Sequence, residues 1–120
     1  MFYDSKSFRA MESGLSASWL QQQTALHNLA NLETPNYKSK AVVFEDTLGA
    51  AMAQNPNGPY SFKTSVVTEN NTIARPDGNN VDSDAEGVVL FKAYAQYSYL
   101  TQKINGQFSN FRYVLTNAFK

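Results

Sequence analysis

The 120-residue chain contains no cysteine. That absence excludes disulfide staples, thiolate zinc sites and thiol nucleophiles at once, while leaving the redox compartment open. Histidine and tryptophan occur once each, and no apolar run approaches the roughly 18 residues needed to cross a membrane. Met1 to Ala10 lacks the pattern of a cleavable signal peptide, so the general secretory route is not expected. Excess charge is missing too: ten Lys and Arg balance ten Asp and Glu. A balanced chain does not hold nucleic acid or anionic lipid by bulk electrostatics. Instead it carries 38 Asn, Gln, Ser and Thr, almost twice its 20 charged residues. Such a surface repels copies of itself weakly, and near-zero net charge favours association. The length suits one small domain.

Two helical segments flank a middle of different composition. From Asp4 to Leu32, Phe8, Met11, Leu15, Ser18, Ala25, Leu29 and Leu32 recur at steps of three and four, with Gln22 filling one seam position. This spacing predicts an amphipathic helix with a weak seam. Asp4 or Ser5 can cap its start, and Thr34-Pro35 stops it, because the residue before a proline is pushed out of the helical region. Gly14 inside it costs about 1 kcal/mol relative to alanine.

The second helix is predicted at 83–118. Leu90, Tyr94, Tyr97, Thr101, Ile104, Phe108, Phe111, Leu115 and Ala118 keep a four-three repeat over four heptads, the pattern of a coiled-coil strand. Ser83-Asp84-Ala85-Glu86 fits a capping box at its start. Eight of the sixteen aromatics lie between Phe91 and Phe119, and Phe91, Tyr99, Tyr113 and Phe119 fall off the seam. Tyr99, Gly106 and Tyr113 form a further line at seven-residue spacing. One partner helix covers one seam, so this second line predicts another neighbour, a copy of the chain or a different protein.

Between the helices, Asn55 to Asn80 holds six Asn, three Pro and two Gly, a loop composition. Tyr60 to Val66 alternates well enough for one strand or hairpin arm, and Glu45 to Gln54 is compatible with a short helix. The expected architecture is mainly α: two long terminal helices in an antiparallel coiled-coil hairpin, and a loop-rich middle with a short β-strand or hairpin. Residues 1–34 form the first axial helix, 35–82 the middle and 83–120 the second helix, as one structural unit.

No constellation for catalysis, metal or cofactor binding stands out. His27 sits at the polar edge of the first helix without an evident nucleophile or carboxylate pair, and reads as a solvated or interfacial side chain. Asp82, Asp84, Glu86 and Gly87 match the early positions of a calcium loop, yet Ala93 stands where the bidentate glutamate belongs, so helix capping explains them better. Asn70-Asn71-Thr72 matches a glycosylation acceptor only as a three-residue pattern. The aromatics of the second helix, with only Lys92 and Lys103 among them, lack the basic groove of a base-stacking platform. They read as packing.

Two stretches are more specific. Asn28-Leu29-Ala30-Asn31-Leu32-Glu33-Thr34-Pro35-Asn36-Tyr37-Lys38 joins a helix end to a turn and an extended segment, with Asn31 or Asn36 suited to a left-handed conformation. Arg75-Pro76-Asp77-Gly78-Asn79-Asn80-Val81-Asp82 is a turn leading into the second helix. From Ala30 to Lys38 the first resembles the Ala-Asn-x-x-Thr-Pro-Gly-Tyr-Lys signature of flagellar rod and hook proteins, with Asn36 in place of glycine. The second resembles the segment before the C-terminal helix in a proximal rod member of that family. Gly14 to Leu20 and Phe44-Glu45-Asp46 are similar to it as well.

This resemblance implies a non-enzymatic axial subunit of the bacterial flagellar basal body. It would be exported through the flagellar type III apparatus without a cleaved signal and assembled into the periplasmic rod, where it transmits torque from the membrane ring to the distal rod. Implied partners are other rod subunits, membrane-ring or adaptor proteins at the rod base, copies of itself and the export apparatus, with no nucleic acid, small-molecule substrate or cofactor. Within it, Leu15, Leu29, Leu90, Tyr94, Tyr97, Ile104, Phe108, Phe111 and Leu115 are expected to hold the helix pair. Phe91, Tyr99, Tyr113 and Phe119 are expected to face other subunits. Asn31, Thr34, Pro35, Asn36, Tyr37 and Lys38 should set the turn out of the first helix, and Arg75 to Asp82 the turn into the second. The alternatives are another proximal rod subunit of the same family and a non-flagellar helical-hairpin adaptor or chaperone.

Overall fold

The computed structural model describes residues 6–43, 53–54, 64–72 and 74–118. In order they form helix α1 (Lys6–Ala30), strand β1 (Lys40–Val43), strand β2 (Ser65–Thr68) and helix α2 (Ser83–Ala118). The chain is elongated, 70 × 30 × 15 Å.

The two helices pack antiparallel. Near one end the Phe8 and Phe108 rings meet edge to face with centroids 5.9 Å apart, further along Trp19 meets Tyr97 at 6.4 Å, and near the other end Asn28 bonds Glu86. The seam between them is built from small side chains. On α1 the buried positions are Gly14, Ala17, Ser18, Ala25 and Asn28, and on α2 Ala93. A Cβ on Gly14 would lie 3.1 Å from Leu100 Cδ1, so the glycine leaves the notch that this leucine fills. Ser18 satisfies its buried hydroxyl by donating to the Gly14 carbonyl one turn back.

Small residues bring the helices close but bury little apolar area. Among the described residues the fully buried apolar side chains are Ala17, Ala25, Val81 and Ala93. The larger side chains flank the seam half-covered or point away from it. Because stabilisation scales with the apolar area removed from water, this pair has a thin core of its own.

The α2 boundaries coincide with the predicted 83–118, but its cap differs. Asp82, not Ser83, is the capping residue: its Oδ1 accepts the Asp84 and Ala85 amides at 3.0 and 3.3 Å. Glu86 does not turn back to close a capping box; its carboxylate reaches α1. Helix α1 ends at Ala30 rather than Leu32, because the Asn31 and Leu32 amides bond carbonyls three residues back, tightening the last turn.

The strands pair antiparallel in the register Lys40↔Thr68, Ala41↔Val67, Val42↔Val66 and Val43↔Ser65. Strand β2 therefore begins at Ser65, near the end of the predicted Tyr60–Val66 segment, whose residues 60–63 lie outside the described residues. Of the short helix considered at 45–54, only residues 53–54 are described, and they are helical. A two-stranded ribbon is marginal alone. Here the other edge of β1 is covered by Asn28: its Nδ2 donates to the Lys40 carbonyl at 2.8 Å and its Oδ1 accepts the Lys40 amide at 3.0 Å. One side-chain amide thus stands in for a third strand.

Candidate assembly interface and the turn that shapes it

The two motif stretches, joined by a bond between Arg75 and Leu32 that spans 43 residues of chain, fold against each other as one polar knot at the closed end of the hairpin. Asn36 has φ 62°, the left-handed conformation that asparagine tolerates best after glycine, and Gly78 has φ 84°. The two turns touch: the Asn36 amide donates to the Asp77 carbonyl at 2.9 Å, and a Cβ on Gly78 would collide with Asn36 Oδ1. Glycine is therefore required at 78 by conformation and by space together.

Asn79, fully buried, is the hub. Its Nδ2 donates to the carbonyls of Asn31, Leu32 and Thr34 at 2.8, 3.1 and 2.8 Å, and its Oδ1 accepts the Val81 amide at 2.8 Å. Arg75 donates to the Leu32 carbonyl and lies 3.8 Å from Asp77 Oδ1, while Lys38 donates to the Gly78 carbonyl. Asn80 ties the knot to the sheet, accepting the Ser39 amide and donating to the Glu69 carbonyl, both at 2.6 Å. Asn31 donates to the His27 carbonyl at 2.8 Å and accepts the Thr34 hydroxyl at 3.0 Å, which closes the end of α1. Pro35 stands exposed at the tip of this turn.

A second relay runs across the hairpin. Tyr37 donates its hydroxyl proton to Asn28 Oδ1 at 2.9 Å, so the 2.9 Å contact with His27 Nδ1 has the histidine as donor. Asn28 Nδ2 in turn donates to Glu86 Oε1 at 3.0 Å. Burial is the largest cause raising the Glu86 pKa; the Asn28 bond opposes it, and repulsion from Glu69 and Asp82 adds to it. The Tyr37 pKa is also raised, by burial first and by Glu86 second. Among the described residues no buried side-chain nitrogen or oxygen lacks a partner.

On sequence grounds each motif shapes its own turn; in the fold they shape one another. Asn28 and Asn79 carry the most bonds. Both lie in the stretches that the sequence singles out, Asn79 before α2 and Asn28 at the start of the first, but the sequence does not show that Asn28 bonds across the hairpin. A polar residue four positions before Leu32 and three after Ala25 continues the buried stripe, and that spacing is the available signal.

Along the helices, Leu15, Leu29, Leu90, Tyr97 and Ile104 are half-buried beside the pair. Phe108, Phe111 and Leu115 lie near the far end, more exposed, with the Phe108 ring edge to face with Phe8. Tyr94 departs from the expected seam. It is 62% exposed, and the neighbouring Ala93 occupies the interface, because a close seam of small residues admits alanine and excludes a ring. Phe91, Tyr99 and Tyr113 are 72, 58 and 70% exposed, and nothing lies within 4 Å of a Cβ placed on Gly106 between them. Lys103 sits over the Tyr99 ring at 5.6 Å. Phe119 lies outside the described residues.

Among the described residues no group of three metal-ligating side chains converges, and no helix is long and apolar enough to cross a membrane. What the described surface offers is exposed aromatic area along α2, as suits a structural subunit that completes its packing in an assembly. No protein-family model matches the chain. It is 31% identical over 126 residues to the flagellar basal body rod protein FlgB of Bacillus subtilis (strain 168), covering 93% of this chain and 95% of that protein. It is also 32% identical over 101 residues to FlgB of Borrelia hermsii, covering 68% and 75%. The chain belongs to the FlgB family of flagellar basal-body rod proteins.

Proposed function

We infer that the chain is a structural subunit of the proximal flagellar rod, with no catalytic role, whose helix pair lies along the rod and transmits torque from the membrane ring to the distal rod. The observation that carries this beyond family membership is the line Phe91, Tyr99 and Tyr113, turned away from α1 and exposed. Aromatic side chains spaced along one face bury large areas when a neighbouring helix lies against them, and many such contacts in parallel resist torsion. Leu15, Leu29, Leu90, Tyr97 and Ile104 hold the pair within one subunit. Phe91, Tyr99, Tyr113 and Phe119 meet other rod subunits or the adaptor proteins at the rod base.

The thin core fits a chain that passes the flagellar type III export apparatus without a cleaved signal and gains its final order in the periplasmic rod. Few large side chains must be uncovered for it to unfold. Deleting the last eight residues is expected to abolish incorporation into basal bodies and swimming; a motile strain carrying that truncation counts against the reading. Cross-linking from positions 99 and 113 in intact basal bodies identifies the neighbours.

A further inference from the structure

The two edges of the sheet are finished differently. The Glu69 amide donates to the Ser39 carbonyl directly opposite at 2.9 Å, so Lys40↔Thr68 and Val42↔Val66 are the pairs that do not bond each other, and their amides and carbonyls turn outward. On β1 both outward groups of Lys40 are taken by Asn28. On β2 the outward groups of Val66 and Thr68 have no partner among the described residues. All four residues of β2 are exposed, and the strand carries neither a charge nor a proline, the usual devices that blunt a free edge.

One end of this edge selects what adds to it. Glu69 follows β2 and shares a face with Val67, because alternate residues of a strand point the same way. With Glu86 it lines a cleft of about 260 Å³ between α1, β1 and α2 that also holds Lys40, so two negative charges there meet one positive. Among the described residues neither carboxylate is ion-paired: Glu69 Oε2 accepts the Ser39 hydroxyl at 2.9 Å, and Glu86 Oε1 accepts the Asn28 amide at 3.0 Å. A strand added antiparallel to β2 bonds Val66 and Thr68, lays one residue beside Val67 and sets the residue two places earlier in its own sequence opposite Glu69. Strand β2 of a second copy supplies no cation for that place, and the outer edge of its β1 is closed by Asn28.

We propose that the outer edge of β2 receives an extended segment of another protein, apolar opposite Val67 and carrying lysine or arginine opposite Glu69, held by main-chain bonds to Val66 and Thr68. The edge is separate from the aromatic face of α2, so one subunit binds a helix and a strand at once. That the neighbour belongs to the rod or its base rests on the reading above; the open edge does not.

The lack of native cysteine allows a tethered probe. Asn71→Cys, exposed beyond the end of β2, is joined by a disulfide to the peptide Cys-Gly-Lys-Thr-Val-Thr-Thr, which brings its lysine opposite Glu69 and makes the pairing intramolecular. Amide exchange at Val66 and Thr68 should slow about tenfold, and not at all with the peptide methylated on the two threonine nitrogens that face them. Replacing the peptide's lysine by glutamate should cut the protection about threefold, the scale of a cross-strand charge pair. Unchanged exchange, or equal protection by the methylated peptide, overturns the edge. In basal bodies, Val67→p-benzoylphenylalanine should cross-link to one segment of another protein. Thr68→Pro, which removes an outward amide and spares the bonds to β1, should lower that yield about tenfold, while Thr68→Ala leaves it unchanged. Val66→Pro replaces Thr68→Pro if the latter lowers the urea midpoint of the free chain. A cross-link to another copy, no cross-link from an incorporated chain, or equal yields for proline and alanine overturns the partner and leaves the rod reading intact. Absence of the unmodified chain from basal bodies defeats the rod reading, and the tethered peptide still decides the edge.

Discussion

The closed and open ends of this hairpin are built on opposite principles. At the closed end, the side chains of Asn28, Asn79 and Asn80 hold two turns and a sheet edge by hydrogen bonds made within the chain. At the open end every residue from Phe108 to Ala118 is exposed, with aromatic and aliphatic side chains among them. Hydrogen bonds demand direction and can be completed inside one molecule, whereas apolar area only needs covering and will accept it from a neighbour. The knot thus gives the subunit a fixed shape, and the tips give it reasons to associate. Substitutions at the two ends should separate stability from assembly.

The largest loss of stability is expected at the hub. Asn79→Ala removes three donations to carbonyls of the turn after α1 and leaves the buried Val81 amide without its acceptor, a cost of about 3 kcal/mol. It should lower the urea midpoint and abolish amide-exchange protection around residues 31–39. Gly78→Ala should cost about 1–2 kcal/mol, since it places a Cβ at positive φ against Asn36. Asn36→Gly relaxes the facing turn and removes the colliding side chain, so it should stabilise slightly alone and recover part of the Gly78→Ala loss. A double-mutant cycle that is strictly additive would show that the two turns are not coupled.

A smaller effect is expected from pH. Glu86 has a higher pKa in the folded chain than the ordinary carboxyl value of 4.5. The folded state therefore holds this proton longer. Its contribution to stability is fully present below 4.5 and is lost as pH rises through the raised value. Glu86→Gln should flatten the pH dependence of the unfolding free energy in that window; an unchanged slope would place the titration elsewhere.

The smallest effect on the free chain is expected at the tips. Tyr113→Ser should change unfolding by less than about 0.5 kcal/mol, as exposed positions usually do, while strongly reducing recovery in basal bodies. A tip substitution that unfolds the free chain would erase the division between the two ends.

Much of this was legible in the residues. The capping sequence at Ser83 and the four-three repeat up to Ala118 located the limits of α2, and the left-handed turn was narrowed to two asparagines, of which Asn36 adopts it. The exposure of Tyr99 and Tyr113 followed from counting two apolar lines against one available partner. Other features depend on distant partners. Tyr94 and Ala93 both lie within a turn of the predicted seam, and only the close approach enforced by Gly14, Ala17 and Ser18 selects the alanine. Asp82 and Ser83 are both good caps, and the choice followed from Glu86 being drawn to Asn28 across the pair.

Sequence alone determined the two helices, the turn between Asn31 and Lys38, the absence of thiol chemistry and the zero net charge, because each depends on local conformation or composition. Tertiary structure decided that the two motif turns form one knot and that a single asparagine borders β1. Those are properties of residues brought together from 12 to 58 positions apart, and only a folded backbone sets their distances.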